Sequence, residues 1–110
     1  MKEILILLSP IINLLGGVLL YIYVPAKPNS IYGYRTKNSM KNEKTWKFAN
    51  KYSSKIAIIY SIVLLIISLV LYFTIYKKYT SAIEWIYLVA YVLESIIVIL
   101  MTERKLKQLV

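Results

Sequence analysis

Ile56-Ala57-Ile58-Ile59-Tyr60-Ser61-Ile62-Val63-Leu64-Leu65-Ile66-Ile67-Ser68-Leu69-Val70-Leu71-Tyr72-Phe73-Thr74-Ile75-Tyr76 is a run of 21 residues without a single charge. At the rise of an α-helix it spans about 30 Å, the thickness of a bilayer's hydrocarbon core. A buried helix of a soluble bundle is usually shorter and keeps a polar stripe, so this segment reads as a transmembrane helix. Two more runs flank it. Ile4–Val24 is uncharged, and Ala82–Met101 carries only Glu84 near one end and Glu94 inside. The sequence therefore predicts an all-α integral membrane bundle of three transmembrane helices, at about 4–24, 56–76 and 82–101, forming one domain over 1–110. The first run is longer than a signal-peptide core, and Val24-Pro25-Ala26-Lys27-Pro28 is a poor cleavage site, so it reads as a retained anchor.

The chain carries a net charge of +9, and the placement of that charge argues against nucleic acid as a partner. Lys27, Arg35, Lys37, Lys41, Lys44, Lys47, Lys51 and Lys55 lie between the first two helices, and Arg104, Lys105 and Lys107 follow the third. Lys2, Lys77 and Lys78 belong to the other side. Cytoplasmic loops carry the Lys/Arg excess, which places residues 25–55 and the C-terminus inside and the N-terminus outside. The basic loop is also suited to anionic headgroups. Tyr21, Tyr23, Tyr72, Tyr76, Tyr79 and Trp85 fall near the expected helix ends, where amphipathic rings favour the interface. The abundance of Ile, Lys, Asn and Tyr suggests an AT-rich bacterial genome.

Pro25 and Pro28 end the first helix, because proline cannot continue the hydrogen-bond ladder. Residues 29–38 read as an irregular link with a turn at Gly33. From Ser39 or Asn42 a helix resumes, either side chain being able to cap it, with Glu43 at its positive end. Trp46, Ala49, Tyr52 or Ser53, and Ile56 recur at helical spacing, with lysines mostly opposite. This predicts an amphipathic interfacial helix leading into the second span, continuous with it or bent near Ser53-Ser54.

Polar residues inside the spans mark the faces that meet. Ser9, Asn13 and Gly16 share one face of the first helix. Ser54, Ala57, Ser61 and Ser68 form a small-residue stripe on the second, and Glu84, Tyr87, Tyr91 and Glu94 a polar stripe on the third. Measured from the outer end, Asn13 lies roughly 14 Å deep, Ser68 roughly 12 Å and Glu94 roughly 18 Å. The expected intramembrane polar core is thus Asn13, Ser61, Ser68, Tyr91 and Glu94. It reads either as a satisfied packing contact or as a proton-sensitive or ligand-binding site. Three short helices leave little room for a cavity, so the second reading calls for a homo-oligomer. Ser9-Pro10 is expected to bend the first helix.

The chain has no cysteine and no histidine, which removes disulfides, thiolate metal sites and the commonest catalytic base. No phosphate-binding glycine loop, nucleophile elbow or metalloprotease motif is present. Glu84 and Glu94 lie about 15 Å apart along a helix, too far for a paired acid/base site. No enzyme activity, metal or cofactor is expected.

Residues 31–55 read Ile-Tyr-Gly-Tyr-Arg-Thr-Lys-Asn-Ser-Met-Lys-Asn-Glu-Lys-Thr-Trp-Lys-Phe-Ala-Asn-Lys-Tyr-Ser-Ser-Lys. This segment resembles the signature of the SdpI/YfhL family of bacterial membrane immunity proteins. Gly33, Arg35, Thr36, Ser39, Glu43, Trp46, Asn50 and Lys51 occupy the matching positions. Lys37 stands where a proline often follows Arg-Thr, and Ser54 where a glycine often precedes the next basic residue. The match covers about a quarter of the chain, and the three-helix hydropathy extends it to that of a minimal member. The resemblance implies protection against a secreted membrane-active peptide toxin, and a signalling role with a cytoplasmic regulator. Physically, these residues suit a structured cap. Gly33 permits a tight turn. Arg35 can fork to a carboxylate, to carbonyls or to a phosphate, with Glu43 the nearest acid in sequence. Thr36, Ser39 and Asn50 can bond the backbone, and Trp46 is expected to anchor the helix at the membrane interface. The alternatives are an accessory or regulatory subunit of a membrane transporter or sensor complex, and an ion-conducting oligomer using Glu94.

Overall fold

The computed structural model describes the backbone of residues 2–109 and the side chains of residues 6–109. The side chain of Lys2, assigned above to the sparsely charged side, lies outside the described residues. Three helices follow in order: α1 (Lys2–Ile22), α2 (Glu43–Phe73) and α3 (Thr80–Leu109). The molecule is elongated, 50 × 23 × 20 Å.

Helix α1 stops at Ile22, two residues short of expectation. Pro25 disfavours helical geometry in the residue before it, so the chain leaves the helix early. Pro10 sits inside α1 and is fully buried.

Of the two alternatives for the helix that leads into the second span, α2 takes the continuous one. Residues 43–55 do not form a separate element; they are the first turns of one unbroken 31-residue helix. No proline or glycine interrupts this stretch. Ser54 turns its hydroxyl onto the carbonyls of Asn50 (2.6 Å) and Lys51 (3.0 Å), so it does not break the ladder. Asn42 caps α2. Its side chain accepts from the Thr45 amide at 2.9 Å, and the Thr45 hydroxyl accepts from the Asn42 amide at 3.1 Å. The helix ends at Phe73, not Tyr76. Residues 74–79 turn there, and Tyr76 is buried beneath the bundle end with Ile6, Ile83 and Tyr87.

Helix α3 runs beyond Met101 to Leu109, because Thr102 and Leu106 are fully buried. Helix α2 lies between the other two, and α1 and α3 approach each other least. Gly17 lets α1 close on α2: a Cβ there would stand 3.0 Å from Ile58. Gly16 has nothing near it, so of the glycine pair only Gly17 serves packing.

The burial pattern is inverted relative to a soluble bundle. Inside lie Ser54, Ser61, Ser68, Asn50 and Glu94, while Ile62, Ile66, Val70, Trp85, Val89 and Leu100 face outward. Helices α2 and α3 are long and apolar enough to cross a membrane, and only 17% of the most apolar window of each is buried. A core helix of a soluble protein would hide that window. The described apolar part of α1, Ile6–Ile22, is shorter.

Candidate functional site

Two polar constellations stand out. The first is the link between α1 and α2, folded as a cap on the basic end of the bundle. Asn29 begins it, its side chain accepting from the amides of Ile31 (3.0 Å) and Tyr32 (2.8 Å). Gly33 follows with φ +111°, and no other described residue has a positive φ. A Cβ there would meet Asn50 Oδ1 at 2.5 Å and the Trp46 ring at 3.1 Å, so the chain is pressed against α2 at a point only glycine fits.

Asn50 and Trp46 are both fully buried behind that turn. The Asn50 side chain accepts from the Tyr34 amide at 2.6 Å and donates to the Trp46 carbonyl at 2.9 Å. Trp46 Nε1 donates to the Pro25 carbonyl at 2.9 Å, tying the start of the link to α2. The expected interfacial anchor is therefore corrected: Trp46 packs inside the cap, because its N–H has a carbonyl partner there and its ring fills the space over Gly33.

Thr36 and Ser39 close a second turn. Ser39 Oγ accepts from the Thr36 amide (2.7 Å), and the Met40 amide donates to the Thr36 carbonyl (3.0 Å). Thr45 Oγ1 donates to the Ser39 carbonyl at 3.1 Å, joining the turn to the start of α2. Arg35 donates to the Ser30 carbonyl, which is a loop contact, while Glu43 occupies the first turn of α2. Lys51 donates to the Tyr21 carbonyl at 2.7 Å and lies 4.3 Å from the Tyr21 ring centre.

The residue that locks the cap was missed in the sequence. Glu103, in the polar extension of α3 beyond Met101, accepts from Tyr34 Oη (2.8 Å), from Thr36 Oγ1 and from Asn38 Nδ2 (2.9 Å). Desolvation pushes this carboxyl up, but the bonds from Thr36, Asn38 and Tyr34, with the charge of Lys107, bring it below the ordinary carboxylate value. Burial and the Glu103 carboxylate together push the Tyr34 phenol well above its ordinary value. The available signal was a lone acid among Arg104, Lys105 and Lys107.

The second constellation lies along the α1–α3 seam. Asn13 Nδ2 donates to both Glu94 oxygens, at 2.8 and 2.7 Å. Tyr91 Oη donates to Ser9 Oγ at 2.7 Å. Asn13 and Glu94 thus meet, but Ser68 does not join them. It bonds Tyr87 and the Leu64 carbonyl instead, because its turn of α2 faces Tyr87. Ser61 returns its hydroxyl to the Ala57 carbonyl at 2.7 Å. A cleft of about 300 Å³ beside Ser9, Tyr87 and Tyr91 and another of similar size beside Asn13, Tyr34 and Glu94 open on this seam. Among the described residues no three acidic side chains gather as a metal site would require.

The model of the SdpI/YfhL protein family matches residues 26–102. A protein of Bacillus subtilis (strain 168) described as "Uncharacterized protein YfhL" is 30% identical over 94 residues, which cover 86% of this chain and 78% of the relative. No solved structure matches the chain.

Proposed function

The chain belongs to the SdpI/YfhL family, and on that premise we propose that it is a bacterial membrane immunity protein. It protects its cell against a secreted membrane-active peptide toxin by binding the toxin or blocking its action in the bilayer. The outward-facing apolar side chains of α2 and α3 and the family itself support a membrane location. In this reading α1 also spans, the N-terminus is outside, and the cap and C-terminus face the cytoplasm, where eleven of the 14 basic residues gather.

One observation supports the reading most. The family signature is folded into a single cap, with Gly33, Trp46 and Asn50 packed together and Thr36 held by α3 through Glu103. A link whose only task was to join two spans would not need side-chain bonds to both α2 and α3. Such a cap gives the bilayer part a route to a cytoplasmic regulator, because a change in α3 moves Glu103.

Protection is the test. The chain is expressed in a related strain that lacks it and challenged with membrane-active peptide toxins, beside Arg35→Ala and Trp46→Ala at matched membrane abundance. Protection by the wild type that is lost in folded variants supports immunity exercised through the cap. Protection kept in both makes the cap a scaffold only. Absence of protection against every peptide sinks the immunity reading in favour of an accessory subunit of a larger complex, sought by co-purification.

A further inference from the structure

At the basic end of the bundle a groove of about 330 Å³ lies between α2 and α3. Met101, Arg104, Lys105 and Gln108 line it from α3, and Tyr52 from α2. The α3 residues recur at spacings of three, one and three, so they share one face of the helix. Phe48 stacks on Tyr52 with ring centres 5.5 Å apart, which fixes the phenol as one wall. The polar lining offers hydrogen-bond donors: a guanidinium, an ammonium, an amide and a phenol.

No carboxylate lines this groove. Glu103, next in sequence to Arg104, points into the cap. Neither Arg104 nor Lys105 has an acidic partner among the described residues. The neighbouring groove around Tyr21, Phe48 and Lys55 differs, since its Lys51 is already bonded to the Tyr21 carbonyl. The apolar stretch of α3 ends at Met101, so the groove sits at the level of phospholipid headgroups, with the exposed Met101 side chain at its bilayer edge.

We propose that this groove binds the headgroup of an anionic phospholipid, with Arg104 forking onto the phosphodiester, Lys105 adding the second positive charge, and Met101 meeting the acyl chains. Arg is suited to two-pronged phosphate contact, and Lys to point-charge attraction. The bilayer is the source of the phosphate because Met101 lies where the tails begin. The proposal depends on the membrane location of the chain and not on immunity.

The test is native mass spectrometry of the delipidated full chain in detergent, titrated with phosphatidylglycerol and, separately, phosphatidylcholine. Wild type should prefer phosphatidylglycerol. Arg104→Gln with Lys105→Gln should weaken that binding about 30-fold, the loss expected from two basic groups near an anionic surface. Lys44→Gln with Lys47→Gln removes the same charge from an exposed face of α2 and should change binding less than about twofold. Both pairs are exposed, so the fold should survive. If the first pair unfolds the chain, the single substitutions, each expected to cost about fivefold, carry the comparison. Equal binding of the two lipids, or equal losses for the two double variants, would mean diffuse attraction and overturn the site. Displacement of the lipid by millimolar inorganic phosphate would make it a free-anion site and overturn the lipid assignment.

Discussion

Glu103 concentrates three hydrogen bonds on one carboxylate, and all three donors belong to the link between α1 and α2. Glu103→Ala should therefore loosen the cap by about 2 kcal/mol, below the sum for three charged bonds because the group is partly exposed. The loss should be read from Trp46 emission in a Trp85→Phe background, since Trp46 is buried and Trp85 is exposed. The same group sets a pH dependence. Its folded pKa lies below its ordinary value of 4.5, so it stabilises the cap above about pH 4.5, and that contribution is lost as the pH falls through the lower folded value. Emission should shift red on acidification in the wild type and lose that dependence in Glu103→Gln. A wild type insensitive to acid would show that the carboxylate does not hold the cap. Gly33→Ala should cost about 3 kcal/mol, combining an unfavourable φ of +111° with a Cβ pressed on Asn50. Thermal unfolding in detergent checks it. A cost under about 0.5 kcal/mol would mean that the turn can shift away. At this scale the sequence was legible where one residue type answers one need: Gly33 for the turn, Asn50 for backbone bonds, Asn13 and Glu94 for matched depth. It was not legible for Glu103, whose partners lie more than 60 positions away and share no periodicity with it.

Helix α2 serves two environments without a break, and its start depends on Asn42. The Asn42–Thr45 box supplies partners for amides that the helix itself leaves bare. Asn42→Ala should cost about 1 kcal/mol locally. Amide exchange at residues 43–46 should then speed up about fivefold, with exchange in the apolar turns unchanged. Uniform acceleration along α2 would show that the cap and span unfold together, and no acceleration would mean that Ser39 takes over the cap. Hydropathy made the existence of the three helices legible, because runs of this length with no charge, or with two glutamates at most, have few other uses. Boundaries were harder. Local pattern left a straight helix and a bend at Ser53-Ser54 both open, because hydroxyl pairs often compete with the backbone; here Ser54 bonds the preceding turn within the helix. Tyr76 looked like the last residue of a span, yet its ring is drawn under the bundle by Ile6 and Ile83, a tertiary effect that no local pattern reports. The extension of α3 past Met101 has the same origin, since Leu106 is buried.

For the whole molecule, the apolar side chains that α2 and α3 turn outward suit contact with lipid rather than burial in a core. Helix α2, the more apolar of the two candidate spans, packs between α1 and α3 mostly through serines and the contact at Gly17, with Leu64 the one large apolar side chain buried in its apolar turns. Lipid tails are as apolar as leucine, so burying leucine inside gains little, whereas small residues let backbones approach. The same reasoning accounts for polar pairs such as Asn13–Glu94 and Ser9–Tyr91 between α1 and α3, the two helices whose backbones approach each other least: side chains with reach bridge the seam. If α1 completes a third span, the cap and the C-terminus must lie on one side of the membrane and residues 74–79 on the other. The absence of cysteine makes this directly measurable, because each introduced thiol is alone in the chain. Lys37→Cys in the cap and Gln108→Cys should be shielded from a membrane-impermeant maleimide added to intact cells, while Lys78→Cys should react. All three positions are exposed in the folded chain, so accessibility reports the side of the membrane and not burial. Labelling of Lys37→Cys and Gln108→Cys with protection of Lys78→Cys would invert the orientation. It would also place the Glu103-locked cap outside the cell, where it would meet a secreted toxin before any cytoplasmic regulator could read it.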